Sequence, residues 1–143
     1  MRTSSILAFA LMVVGLAVLA EQDALFARHA LTIAIQVAAA LLMVYARLTF
    51  GRRSFHAAAN PTAGGIVTSG PYAVMRHPIY AAVLYFTWAA VADRPSLMTA
   101  AGGVLITIGA ITRMLIEERM LVERYPEYRD YMRRTRRVVP FVV

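Results

Sequence analysis

Long apolar runs alternate with short polar breaks along this chain. Ser4 to Ala20 is a 17-residue run without charge, and Leu31 to Leu48 is an 18-residue run broken only by Arg47 near its end. Ile79 to Ala92 is apolar but short, and Leu97 to Thr112 is apolar and continues past Arg113 through Ile116. At about 1.5 Å of rise per residue, the first two runs just cross a ~30 Å hydrocarbon core, whereas the third gives roughly 21 Å. The third still reads as a membrane helix, paired with the fourth through the tight turn Asp93-Arg94-Pro95-Ser96. Pro95 and Ser96 suit a helix start after a turn. After Ile116 the pattern changes. Leu121, Tyr125, Tyr128 and Met132 recur in steps of 4, 3 and 4, which gives one apolar helical face. Pro126 interrupts that run and can open a second helix at its first turn. The pattern predicts an all-α polytopic membrane protein. It has about four transmembrane helices, including a C-terminal helical hairpin, and an amphipathic tail lying along the membrane surface.

Composition sharpens this picture. Of 143 residues, 59% are hydrophobic and 16% charged, where a soluble domain is nearer half and a quarter. The length suits one domain, with residues 1–48 holding the N-terminal helices and 49–143 the ligand-binding part. There is no cysteine, so disulfides, thiol nucleophiles and thiolate metal sites are excluded. All 15 basic residues are Arg, which removes Schiff-base chemistry and a P-loop lysine. The net charge of +7 lacks interleaved aromatics on a soluble stripe, so it reads as orientation and lipid contact, not nucleic acid. His29 and His56 lack metal-ligand spacing, and no metal is expected.

Arg2, the first apolar run and AVLA before Glu21 also resemble a signal peptide with a cleavage site after Ala20. The reading taken is a membrane anchor. Four crossings leave both termini on one side. With the N-terminus inside, 13 arginines fall on inner segments against Arg28 and Arg94 outside, the usual positive-inside bias. The expectation is an integral protein of a bacterial inner membrane with cytoplasmic termini, and with the Thr49–His77 loop and the tail on the cytoplasmic side.

Polar chemistry then converges at one face. Pro78 suits the first helical position, which makes His77 the N-cap and Arg76 its predecessor. Free N–H groups, the helix dipole and these two side chains favour an anion there. The hairpin returns Glu117 and Glu118 to the same face, about 100° apart around the helix, so that one can face a pocket while the other pairs with an Arg. A cationic helix start and an anionic helix exit sharing one pocket suit a zwitterionic ligand. S-adenosylmethionine, a nicotinamide dinucleotide and a zwitterionic lipid headgroup all qualify. No GxGxxG opens a βαβ unit, and Gly64-Gly65 is an ordinary loop signal. The reading requires His77 and Glu118 at one face, with space between them.

Blander readings use the same residues. Arg76 and His77 suit lipid phosphate contact, and Tyr72, Tyr80 and Trp88 suit an aromatic belt. Glu117 and Glu118 suit pairs with Arg113 or Arg119, and Arg133 to Arg137 suit headgroup contact. The small residues Ala38 to Ala40 and Gly102-Gly103 suit close helix packing.

The blocks TSGPYAVMRHPIYAA and EERMLVERYPEYRDYMRRTRRVVP, flanking the hairpin, resemble the isoprenylcysteine carboxyl methyltransferase family and its relatives, the phospholipid N-methyltransferases. The resemblance covers roughly residues 50–140. It implies an integral-membrane enzyme that uses S-adenosylmethionine as cofactor. By the same resemblance Tyr72, Arg76, His77, Pro78, Tyr80, Glu117 and Glu118 line the cofactor pocket, covered by Tyr128 and Tyr131, with Arg134 a candidate catalytic group. Many members have Gly where this chain has Ala82. The implied acceptor is a lipidic or prenylated molecule entering from the bilayer. The alternatives are phospholipid N-methylation, an NADPH reductase of the related steroid-reductase arrangement, or a non-catalytic membrane scaffold.

Overall fold

A computed structural model describes residues 2–51 and 65–139. Arg52, Arg53, His56, Gly64 and Pro140, used in the sequence reading, lie outside the described residues. The chain forms α1 (Arg2–Glu21), α2 (Ala30–Phe50), a 3-10 turn (Gly70–Ala73), α3 (Pro78–Asp93), α4 (Leu97–Arg124) and α5 (Tyr128–Arg134). Among the described residues there is no strand, only an isolated parallel bridge between Met75 and Arg136.

Three helices, α1, α2 and α4, are long and apolar enough to cross a membrane. Their exposed faces carry Leu7, Val14, Ile33, Leu41 and Ile108, as helices bathed in lipid must. With 16 residues, α3 reaches only about 24 Å. It nevertheless runs the length of the bundle: its first turn meets Glu117 and Glu118 of α4, and its last residue, Asp93, meets the start of α2. With 28 residues, α4 is about 42 Å long and overshoots the span on the side where α5 sits. The bundle therefore has a turn end, holding the α1–α2 and α3–α4 connections, and a tail end, holding the start of α3 and α5.

Packing explains the pairing. α1 lies along α4, α2 lies along α3, and α3 also meets α4. The first contact depends on missing side chains. A Cβ on Gly15 would sit 2.6 Å from the Gly102 carbonyl oxygen, and one on Gly109 would sit 2.5 Å from the Ala8 carbonyl oxygen. Gly103 faces the other way, toward Val91 and Trp88 of α3. The Gly102-Gly103 pair thus lets α4 approach two neighbours at once. Close backbone approach is how helices adhere where the surrounding lipid removes any hydrophobic drive.

The helix boundaries follow local chemistry. Ser96 caps α4, accepting from the Thr99 N–H while Thr99 Oγ1 accepts from the Ser96 N–H, a reciprocal capping box. Gly51, at φ +69°, ends α2 in the left-handed region. Pro78 opens α3 and His77 is its N-cap, as the sequence predicts, though the imidazole makes no capping bond. The tail is helical, as the pattern predicts, and its tyrosines cover the tail end of the bundle. Pro126 breaks the helix, α5 follows, and Tyr128 and Tyr131 are buried against the bundle.

Candidate functional site: a charge cluster at the tail end

The cluster is assembled by three pieces of chain. The first is the segment Met75–Tyr80, running into α3. The second is α4 around Glu117 and Glu118. The third is the tail, where residues 135–138 run beside Val74–His77. Arg76 N–H donates to the Arg136 carbonyl (2.6 Å), His77 N–H to the Arg137 carbonyl (3.0 Å), and the Tyr85 hydroxyl to the Val138 carbonyl (2.6 Å). The tail is thus strapped across the start of α3, and the strap satisfies backbone donors that the helix itself leaves open.

Glu118 is the centre. Its side chain is 5% exposed and meets three cationic or imidazole groups. Arg76 Nε donates to Oε1 at 2.9 Å, His77 Nε2 lies 3.3 Å from the same oxygen, and Arg137 donates through Nε (3.1 Å) and Nη2 (3.0 Å) to Oε2. Arg76 also donates to the carbonyls of Met132 (3.0 Å) and Thr135. Arg137 is the outermost of the three, with 40% of its side chain exposed.

Glu117 faces a different set, as adjacent helical residues must. It accepts a hydrogen bond from the Tyr80 hydroxyl, which in turn accepts from Arg113 Nε at 2.9 Å. Arg113 Nη2 lies 3.8 Å from Glu117, and His77 Nδ1 is also 3.8 Å away. The Arg113 guanidinium reaches α1, donating to the Ser5 carbonyl at 3.3 Å and stacking 5.5 Å from the Phe9 ring centre. Three arginines face two carboxylates, so the cluster carries a net positive charge before His77 is counted.

Tyrosines close the sides. The Tyr131 hydroxyl donates to the Tyr72 carbonyl at 2.6 Å, and its ring lies 5.6 Å from that of Tyr128. Tyr72 packs 5.5 Å from Phe50. Burial pushes the Tyr131 phenol up to about 12. Burial first and the Glu118 carboxylate second push the Tyr128 phenol up, and burial does the same to Tyr72, with Tyr131 and Glu117 adding to it. All three stay protonated hydrogen-bond donors at neutral pH.

The structure brings together Tyr72, Arg76, His77, Pro78, Tyr80, Glu117, Glu118, Tyr128 and Tyr131. Arg134 is not among them. Its side chain is exposed, its Nε reaches only the Asp130 carbonyl (3.4 Å), and it lines an outer depression. Arg137 occupies the inward position instead: Thr135 is buried, Arg136 is exposed, and Arg137 turns to Glu118. The expected open space between His77 and Glu118 is also corrected: the two groups touch. Charges held out of water need partners, and here each carboxylate finds its partners within the chain. This direct contact counts against a preformed cavity between the two blocks. The Arg113–Glu117 pair is among the plainer pairings the sequence suggests, though Arg113 was not expected to join the site, and Arg137 was expected only at lipid headgroups. An Arg one turn before Glu117 inside an apolar run was the available signal for Arg113. No local signal separates Arg137 from its neighbours.

Comparison with known proteins assigns the framework. The sequence profile of the phospholipid methyltransferase family matches residues 27–128, from just before α2 to the first residue of α5. That span contains Arg76, His77, Glu117 and Glu118. Neither the curated proteins nor the solved structures give a match. With most of its length inside that profile and its helices suited to a bilayer, the chain belongs to the phospholipid methyltransferase family, a family of membrane methyltransferases.

Proposed function

We propose that this chain is an S-adenosylmethionine-dependent methyltransferase that methylates a lipidic or prenylated acceptor, of the isoprenylcysteine carboxyl type, at the membrane face. What supports the reading is the family match together with the tail-end cluster, where the two blocks flanking the hairpin come to one face; the His77–Glu118 contact closes the space expected there, so a ligand must displace part of the cluster.

The donor set fits the cofactor chemically. Arg76 and Arg137 suit its carboxylate, Glu118 and Glu117 suit its ammonium and ribose hydroxyls, and the rings of Tyr72, Tyr128 and Tyr131 suit its base. When bound, the cofactor supplies a methyl group activated by a sulfonium. The chain's own task is then to position, orient and exclude water. Binding exchanges partners: Glu118 gives up part of its contact with Arg137, the most exposed of its three partners, and the freed guanidinium takes the ligand carboxylate. Such an exchange replaces one satisfied charge pair by another, which keeps its cost low.

His77 binds and does not serve as the base. Its ring is wedged between Glu117, 3.8 Å from Nδ1, and Glu118, 3.3 Å from Nε2, so both ring nitrogens face carboxylates. A carboxylate acceptor is ionised at neutral pH and needs no base. The excess of cation in the cluster also favours a carboxylate over a cationic amine. The second reading, a phospholipid amine, draws on the matched family. There Glu117, with 24% of its side chain exposed, would take the amine proton. In either case the arginine bias supports a cytoplasmic tail end, and the acceptor arrives between helices from the bilayer.

The test is incubation of the detergent-purified chain with methyl-labelled cofactor and two acceptor pools, a prenylated cysteine analogue and a total lipid extract. Label released as methanol by mild alkali marks a carboxyl ester. Alkali-stable label in a lipid headgroup marks the amine reading. No transfer and no cofactor binding would overturn both in favour of a scaffold.

A further inference from the structure

The strap that carries Arg137 inward carries its neighbour Arg136 outward. The Arg136 backbone is fixed, its N–H reaching the Val74 carbonyl at 3.4 Å and its carbonyl accepting from Arg76, but among the described residues its side chain makes no hydrogen bond or ion pair. Two further arginines join it from the last turn of α5. Arg133 has one loose partner, Asp130 at 3.4 Å, with both side chains largely exposed, and Arg134 reaches only the Asp130 carbonyl. These three guanidiniums and the residues Ala73 and Val74 line a shallow depression of about 270 Å³.

The lining has two characters. One wall offers many unsatisfied N–H donors in the planar forks that match phosphate oxygens. The other is apolar, formed by Ala73 and the exposed Val74. A small inorganic anion would use the first wall and leave the second idle. A molecule carrying a phosphate beside a hydrocarbon portion uses both. The depression lies at the tail end of a bundle whose helices suit a bilayer, where such molecules are the solvent.

We propose that the depression formed by Arg133, Arg134, Arg136, Ala73 and Val74 is a binding site for the phosphate group of an anionic phospholipid. This site is separate from the charge cluster. The lipid it holds is not the methyl acceptor, because Arg136 and Arg137 point to opposite sides of the strap. The assignment does not depend on methyl transfer, so it stands or falls without the reading given above.

Native mass spectrometry of the full chain in detergent tests it. The titrants are short-chain phosphatidylglycerol, short-chain phosphatidylcholine and inorganic phosphate, and the variants are Arg136→Ala, the pair Arg133→Ala with Arg136→Ala, and Arg129→Ala. Arg129 is an exposed charge on the same helix outside the depression. The expected result is one tight phosphatidylglycerol adduct, weakened about fivefold for each depression arginine removed and unchanged by Arg129→Ala. Three results would overturn the proposal. They are an equal loss with Arg129→Ala, which marks diffuse charge; equal binding of phosphatidylcholine; and inorganic phosphate displacing the lipid at equal concentration. Unchanged thermal midpoints of the variants show that folding is not what moved.

Discussion

Each end of the bundle buries one carboxylate. At the turn end, Asp93 is 1% exposed and accepts from the N–H of Arg28 (2.9 Å), the N–H of His29 (2.9 Å) and the Thr32 hydroxyl, with the exposed His29 ring at 2.9 Å. At the tail end, Glu118 is 5% exposed and meets Arg76, His77 and Arg137. Burial is the same, but the donors differ in kind. Most of those around Asp93 are neutral groups leading into α2 and in its first turn, so the residue works as a helix cap supplied by α3. Those around Glu118 are side chains from two other segments. A cap is held by backbone that cannot leave. A cluster of ionic side chains can trade partners with a ligand. The first arrangement holds the fold together, and the second suits chemistry.

The largest expected effect separates the two directly. Glu118→Gln should weaken S-adenosylmethionine binding by about a hundredfold, since charge-assisted contacts of this kind are worth up to about 3 kcal/mol. Asp93→Asn should leave that affinity within about twofold and instead lower the thermal midpoint, by loss of about 2 kcal/mol of cap and hydroxyl contacts. Equal effects of the two variants on affinity would erase the distinction. Next in size is the α1–α4 contact. Gly109→Ala forces a methyl group against the Ala8 carbonyl and should cost about 1–3 kcal/mol, read as a lower midpoint in detergent. Arg137→Ala should follow with about a tenfold loss of cofactor affinity, while Arg129→Ala leaves affinity unchanged.

The smallest effect is set by pH. The Tyr131 phenol, ordinarily at 10.0, sits at about 12 in the fold because of burial. Between those values the native chain keeps a proton that the unfolded chain has lost, so stability falls as pH rises through that window. The tail should loosen there, read as tyrosine ionisation by ultraviolet difference absorption. Tyr131→Phe should shift the loss to higher pH, and an unchanged alkaline limb would remove Tyr131 from the account.

Much of this was readable in the sequence, and for identifiable reasons. Long apolar runs locate α1 and α2, Pro78 and Ser96 locate two helix starts, and the parity of crossings puts His77 and Glu118 at one end. Each of these is a local signal or a count. What escaped depends on contacts between distant segments. Asp93 looks like any turn residue until α2 arrives beside it. Arg137 cannot be told from Arg134 until the Met75–Arg136 bridge sets which faces inward. The direct closure of His77 on Glu118 reflects how the start of α3 seats against α4, which hydropathy does not encode.

The central claim is that Glu118 and its partners form a ligand site and not a structural clasp. Calorimetric titration of S-adenosylmethionine into the wild-type chain, Glu118→Gln and Asp93→Asn in detergent tests it most directly. The account predicts saturable binding to the wild type and to Asp93→Asn, and loss of binding with Glu118→Gln, titrated below its thermal transition where the variant is folded. Wild-type-like binding by Glu118→Gln, or no binding by the wild type, would contradict it.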